Sequence, residues 1–548
     1  MSGKHQHAHL ELDLPESIDV YDTTLRDGSQ QEGISLTVDD KLRVAEQLDR
    51  LGVAYIEGGW PGANPKDAEF FRRAPAELQL STATLVAFGS TRRAGAKAAS
   101  DETLRHLVEA GTEAVCIVGK AWDYHVTDAL RATLDEGIRM VAESVEYLTG
   151  HGLKVFFDAE HFFDGFKRNP DFSRSVIRAA EESGAAAVVL CDTNGGTLPH
   201  EVEAILADVV PRLSSQVGVH FHNDGGCAVA NSLAGVRMGA TQVQGCINGY
   251  GERTGNADLS AAIPNLSLKM GVKTIPRERI ELLMPVSHHI AELVNITPHP
   301  QQPYVGTSAF AHKAGLHTSA IARSRDAYEH IPPDSVGNGT RFVVSEMAGR
   351  STLIMKAEEL GLDLEGAALG DVLDTLKDLE HRGYHFEAAD GSLELLMRRA
   401  GGWKQGFFRL ESFRVISEHR ASPDGVLGQD GDLVTEATIK VWVGDERIVA
   451  TAEGNGPVNA LDAALRQAVG DRYPALTRVH LTDYRVRVLD TTKGTGAVTR
   501  VLLDTTNGED VWSTIGVSEN VIEASWAALV DSIVYGLLHT PDTAPEER

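Results

Sequence analysis

The stretch "TVDDKLRVAEQLDRLGVAYIEGG", residues 37–59, decides the fold. Thr37 and Asp40 stand three apart, the spacing of a capping box that opens a helix. Leu42, Ala45, Leu48 and Leu51 then recur at helical spacing and form one apolar face, and Gly52 ends the run. "AYIEGG" (54–59) follows as a short buried strand, and "IDVYD" (18–22) precedes the unit as another. The same alternation continues through "LSTATLVAF" (80–88), "EAVCIVG" (113–119), "LKVFFDAE" (153–160), "AAVVLCD" (186–192), "VGVHFHN" (217–223) and "TQVQGCIN" (241–248). Eight strand–helix alternations in about 260 residues predict a closed (β/α)₈ TIM barrel. An open doubly wound sheet is the alternative, but no G-x-G-x-x-G follows the first strand.

Working outward, the barrel is expected over residues 16–275, after a flexible tail at 1–15. Residues 276–404 read as a helical, polar appendage with Pro-rich breaks at "TPHPQQPY" (297–304) and "IPPD" (331–334). Residues 405–540 change texture to an α+β domain of two strand–strand–helix units, and 541–548 read as a tail. "GNGPVNALDAALR" (454–466) weakly matches "GVSENVIEASWAAL" (516–529), an internal duplication that suits binding or regulation.

Composition narrows the partners. The chain has 548 residues, 42% hydrophobic and 24% charged, with a formal net charge of −27. That acidity argues against nucleic acid and anionic membrane as partners. No run reads as a membrane span, and the N-terminus lacks the apolar core of a signal peptide. His5, His7 and His9 read as part of a solvated tail. Cys116, Cys191, Cys227 and Cys246 lie in or beside apolar runs without a CxxC, the pattern of buried thiols in a cytoplasmic protein.

In a barrel of this kind the working residues sit at the C-terminal ends of the strands. "VGVHFHNDGG" (217–226) places His220 and His222 on one face of a strand. They are either two core histidines or two ligands of one ion. Strand 1 adds Arg26 and Asp27, strand 2 Glu57, strand 5 Asp158 and Glu160, strand 6 Asp192 and Thr193, and the loop after strand 8 Asn256. So many polar groups on one rim favour the ion: two imidazoles and a carboxylate suit Zn, Mn or Fe, and further oxygen donors admit Mg. Glu57 either orients Arg26 or touches substrate. Trp60 reads as packing.

"DTTLRDGSQ" (22–30), "HFHND" (220–224) and "GYGERTGN" (249–256) together resemble the aldolase-like barrel enzymes that include α-isopropylmalate, homocitrate and citramalate synthases, with hydroxymethylglutaryl-CoA lyase as a relative. The resemblance extends through "FAHKAGLHTSAI" (310–321), "YEHIPPDSVGN" (328–338) and the duplicated C-terminal domain. "GGWPGANPKD" (58–67) and "FFDAEHFFDG" (156–165) look most like the citramalate synthase branch. The resemblance implies a divalent metal on Asp27, His220 and His222, with Asn256 completing the shell. It implies Arg26 at the developing alkoxide and Thr193 on the substrate carboxylate; Asp158 either faces the substrate methyl end or binds a water. Glu160 lies where the family has its substrate-side carboxylate, and His317 and Tyr328 match the acid–base residues supplied by the appendage; whether Glu160 or His317 removes the methyl proton stays open. One departure is Thr318, where the family often has Asp after the histidine. His312 and His317, five apart, do not share a helix face, so one of them reads as structural.

The implied reaction is an acetyl-CoA-dependent condensation with a 2-keto acid, an acyltransferase of the 2.3.3 class. Pyruvate is the expected acceptor, with 2-ketoisovalerate as the alternative, and a lyase or an inactive effector-binding barrel as the readings beyond these. The expected C-terminal partner is a branched-chain amino acid, isoleucine, in a homodimer or higher oligomer.

Overall fold

The computed structural model of the protein describes residues 14–540 except 313–320, 322–323, 325–327, 343–349, 363–366, 420–432 and 490. The chain forms two compact units, one of residues 1–310 and 329–340, the other of 311–328 and 341–548. The N-terminal tail through residue 13 and the tail from 541 lie outside the described residues, as does His317.

In the first unit eight parallel strands close a barrel in sequence order: β1 Asp19–Asp22, β2 Tyr55–Gly59, β3 Thr84–Ser90, β4 Ala114–Lys120, β5 Lys154–Glu160, β6 Ala187–Asp192, β7 Gln216–Phe221 and β8 Gln242–Gly245. β8 pairs back onto β1 in the register Asp19↔Gln242 to Asp22↔Gly245. The first helix, α1 (Val38–Leu51), starts with the Thr37–Asp40 capping box and stops at Gly52, whose φ of 97° is the left-handed conformation that glycine adopts without strain. Leu42, Ala45, Leu48 and Leu51 are all buried. Helix Leu283–Leu293, from the segment after the barrel, packs on α1.

The strand residues divide between two cores, because a barrel strand is buried on both faces. Val20, Ile56, Ile117, Phe157, Leu190, Val219 and Phe221 meet the helices outside. Tyr21, Val86, Phe88, Cys116 and Phe156 fill the interior. Regular strand alternation would put Phe156, Asp158 and Glu160 on the inward face of β5 with Phe162 and Phe163 just beyond as pocket wall; Phe156 does lie in the interior, but Phe162 and Phe163 do not continue the line. His161 takes φ 56° and turns the chain into helix Phe162–Arg168, which ends the strand alternation. Both phenylalanines then pack in the outer layer, Phe163 against Phe221 at 5.3 Å between centroids.

The second unit contains two three-stranded antiparallel sheets, each followed by a helix. Strands Arg409–His419, Leu433–Val443 and Glu446–Gly454 lead to helix Pro457–Val469. Strands His480–Val488, Thr499–Thr506 and Val511–Ser518 lead to helix Val521–Leu538. Each duplicated unit therefore has one strand more than the sequence reading placed there. The extra strands are largely exposed, so they lack the continuous apolar core pattern of a buried strand. In the second, Tyr484, Val486 and Val488 alternate with arginines, yet are 39%, 46% and 46% exposed. Helix Val521–Leu538 is long and apolar enough by length and composition to cross a membrane. It carries Glu523 and Asp531 and buries Trp526, Leu529, Ile533 and Leu537 in the core of this unit, as a core helix does. Helices Ala367–His381 and Asp390–Ala400 add a smaller core around Val372, Leu376, Leu393 and Ile515.

Candidate functional site

β1 runs into a turn that Asp22 holds. Its carboxylate accepts from the Thr24 N–H (2.8 Å), the Thr24 hydroxyl (3.0 Å) and the Ile247 N–H (3.3 Å). Burial pushes the Asp22 carboxyl up to about 7, against these hydrogen bonds. The turn presents Arg26 and Asp27 at the barrel mouth. There Asp27 Oδ2 lies 3.3 Å from His220 Nε2 and 3.4 Å from His222 Nε2. Each of the three residues offers one ligand atom, and the three atoms fall within 4.8 Å of one another. All three residues are buried. Burial raises the Asp27 carboxyl, but the Arg26 charge and the two histidines outweigh it and hold it well below the usual carboxylate range.

The donor set fits a divalent cation, as a carboxylate and two imidazoles do. Asn256 adds to it: its Nδ2 donates to the Tyr250 carbonyl (3.0 Å), while its buried Oδ1 has no hydrogen-bond partner among the described residues. Asn256 also pairs with His222 through a backbone bridge. The two histidines differ behind the cluster. His220 Nδ1 faces Gln244 Oε1 at 2.9 Å. His222 Nδ1 faces Arg253 Nη2 at 2.6 Å, and a guanidinium only donates. For His222 Nε2 to take a cation, Arg253 has to fall back on its other partners, Asp224 (2.8 and 2.9 Å) and the Thr193 carbonyl (2.8 Å).

Arg26 is held from three sides. Its Nε donates to Glu57 Oε2 at 2.5 Å, its Nη1 lies 3.4 Å from Asp27 Oδ1, and its guanidinium stacks 3.9 Å over the Phe88 ring. Of the two roles read for Glu57, the structure shows the pairing with Arg26. Glu57 also accepts from the Tyr21 hydroxyl (2.9 Å) and has no exposed surface. Burial raises its carboxyl, partly offset by Arg26, and the nearby Asp158 raises it further. Asp158 accepts from Gln244 Nε2 at 3.0 Å, and burial raises its carboxyl too. Trp60 packs edge-on against Phe88.

The remaining sequence candidates are placed differently. Thr193 Oγ1 accepts from the His161 N–H (2.9 Å), which leaves its own O–H to donate. Glu160 pairs with Lys120. Tyr328 is 46% exposed and belongs to the other compact unit. Gln244, Arg253, Lys120 and Tyr21 were not among the sequence candidates. Gln242 and Gln244, two amides on one face of a buried strand, were the legible sign for Gln244. A groove of about 800 Å³, lined by Gln31, Asn223, Tyr250, Arg253, Asn256 and His299, borders the cluster and admits a ligand larger than a keto acid. The second unit has a cavity of about 690 Å³ lined by Asn459, Asp462, Arg466, Tyr473, His480 and Tyr484.

Comparison with known proteins agrees with this layout. The HMGL-like family model matches residues 17–282, the homocitrate synthase post-HMGL domain-like model 304–384, and the LeuA allosteric (dimerisation) domain model 387–537. The chain is 52% identical over 538 residues to the (R)-citramalate synthase of Streptomyces coelicolor, covering 98% of this chain and 99% of that one. It is 49% identical over 529 residues to the (R)-citramalate synthase of Aquifex aeolicus, covering 96% and 98%. It is 48% identical over 522 residues to that of Geobacter sulfurreducens, covering 95% and 97%. With identity of this level running from the barrel through both C-terminal sheets, the chain belongs to the (R)-citramalate synthase family.

Proposed function

We propose that the chain condenses acetyl-CoA with pyruvate and hydrolyses the thioester, releasing (R)-citramalate and CoA. The observation that carries the site reading is the convergence of Asp27, His220 and His222 on one point beside Arg26. These three residues and Asn256 would hold a divalent cation, which would supply Lewis acidity to the ketone of the keto acid. Zinc and manganese suit the imidazoles, and magnesium the oxygen donors. Arg26, anchored by Glu57, faces the oxygen that gains charge as the new carbon–carbon bond forms. The Thr193 hydroxyl donates to the substrate carboxylate. By the family resemblance, Glu160 or His317 takes the weakly acidic methyl proton, and Tyr328 matches the acid–base partner of His317. Asp158 lies toward the methyl end of pyruvate. Tyr21, Phe88 and Phe156 fill the interior beneath the rim, and the buried carboxylates of Glu57 and Asp158 penalise a branched apolar chain there.

Thiol release with each keto acid tests the reading. We expect kcat/KM for pyruvate at least about tenfold above that for 2-ketoisovalerate, a difference of about 1.4 kcal/mol. The reverse order would assign 2-isopropylmalate synthesis instead.

The same reading extends to regulation and organisation: a barrel at 16–275, a helical linker at 276–404 and a regulatory dimerisation domain at 405–540. The match to an allosteric domain supports an end-product effector, and isoleucine is the branched-chain amino acid that follows from citramalate. The cavity lined by Asn459, Tyr473, His480 and the Asp462–Arg466 ion pair (2.9 Å) is the pocket we assign to the amino-acid effector. The exposed Tyr484, Val486 and Val488 supply an apolar strand face for a second copy. Cys116, Cys191 and Cys246 are buried free thiols, while Cys227, expected buried, is only half-buried; the three buried thiols support a cytoplasmic location.

A further inference from the structure

We infer that Gln244 is the positioning residue that fixes His220 as a metal ligand and couples the ligand set to Asp158 inside the barrel. The inference rests on the metal reading of Asp27, His220 and His222. Gln244 is fully buried on β8, and the β7–β8 pairing sets it directly beside His220. Its amide has two neighbours of opposite need. Asp158 Oδ1 accepts from the nitrogen at 3.0 Å, so the oxygen is turned to His220 Nδ1 at 2.9 Å. A neutral imidazole carries one proton. With an acceptor at Nδ1 the proton sits there, and Nε2 points its lone pair toward Asp27 Oδ2, 3.3 Å away. His222 has no such support, since Arg253 donates to its Nδ1. The ligand set is therefore preset at His220 and not at His222, and Gln244 presets it.

Asp158 is outside the Asp27–His220–His222 cluster, yet it decides which way the amide faces. Without it the amide is free to turn its nitrogen to His220, which forces the proton onto Nε2 and removes the lone pair from the cation. Asp158 thus acts on the metal through Gln244.

Calorimetric titration with Mn²⁺ tests this, with circular dichroism to confirm folding. Gln244→Met keeps the volume and loses the acceptor, and should weaken Mn²⁺ binding roughly 10–100-fold. Gln244→Glu brings two buried carboxyl groups within about 3.0 Å, where they share one proton and an oxygen still accepts from Nδ1, so Mn²⁺ binding should stay within about threefold of wild type. Asp158→Ala should weaken binding about tenfold in the wild-type background and leave it unchanged in the Gln244→Glu background, where a carboxylate has no nitrogen to present. A folded Gln244→Met protein that binds Mn²⁺ as wild type does would overturn the inference. So would an equal fall on Asp158→Ala in both backgrounds, which is the behaviour of a bare charge. If Gln244→Met does not fold, the Asp158→Ala comparison decides alone. A wild-type protein that binds no divalent cation would overturn the metal reading itself, a distinct result.

Discussion

Glu57→Gln isolates the contact that aims Arg26. The side chain keeps its shape but loses its charge. In the native protein Glu57 is fully buried and the Arg26 side chain is 15% exposed, so the pair has little solvent to fall back on. A hydrogen bond to a charged group contributes about 1.5–3 kcal/mol. Glutamine retains one acceptor, which places the expected loss of stability near the middle, at about 2 kcal/mol. The catalytic effect follows from where Arg26 goes. Its Nη1 is already 3.4 Å from Asp27 Oδ1, and without the Glu57 charge it shifts toward Asp27. That moves a donor away from the reacting oxygen and engages a metal ligand. We expect kcat to fall roughly 10–100-fold, or about 1.4–2.7 kcal/mol, in the acetyl-CoA thiol-release assay. Divalent cation binding should weaken as well. Tyr21→Phe removes only one neutral donor from Glu57 and should cost about 1 kcal/mol in stability with a smaller loss in kcat. Arg26→Lys combined with Glu57→Gln should be little worse than Arg26→Lys alone, because both act through one contact. Wild-type kcat in Glu57→Gln, or losses that multiply in the double variant, would refute the argument.

His220→Ala should lose stoichiometric Mn²⁺ and activity together while far-UV circular dichroism stays native, since the site is at the barrel mouth; turnover at the wild-type rate in metal-stripped His220→Ala protein would remove the metal assignment. Burial lowers the His220 imidazole's affinity for its proton, but Asp27 more than offsets this and raises it above the ordinary histidine value. A cation must displace that proton, so Mn²⁺ affinity should be full at alkaline pH and fall, by up to about tenfold per unit, as pH drops below the raised value; a pH-independent dissociation constant between pH 8 and 6 would contradict this. Titration of the full chain with isoleucine and with leucine should give a calorimetric signal for isoleucine that a charge reversal at Arg466 abolishes, and silence for both amino acids would end the effector assignment.

Much of the barrel was legible because its signals are local. A capping box at Thr37, a glycine at position 52 and short apolar runs fix where a helix begins, where it stops and where a strand follows. Strand alternation alone puts His220 and His222 on one face, and the rule that barrel sites lie at strand ends brings Asp27 into the same region. Chain position also kept His317 and Tyr328 in view as residues, but not their place in space. What only the tertiary structure decided is who partners whom behind the ligands. Gln244 stands beside His220 because β7 and β8 pair in that register, and it reaches Asp158 because β5 faces β8 across the interior. Arg253 reaches His222 across 31 residues, and Glu57 reaches Arg26 across the same number. Phe162 and Phe163 pack in the outer layer, not on the inward face that strand alternation would give, because one residue, His161, adopts a left-handed turn. Propensity and periodicity act within a few residues, whereas these contacts depend on strand adjacency, register and the direction of one amide, which exist only once the barrel has closed.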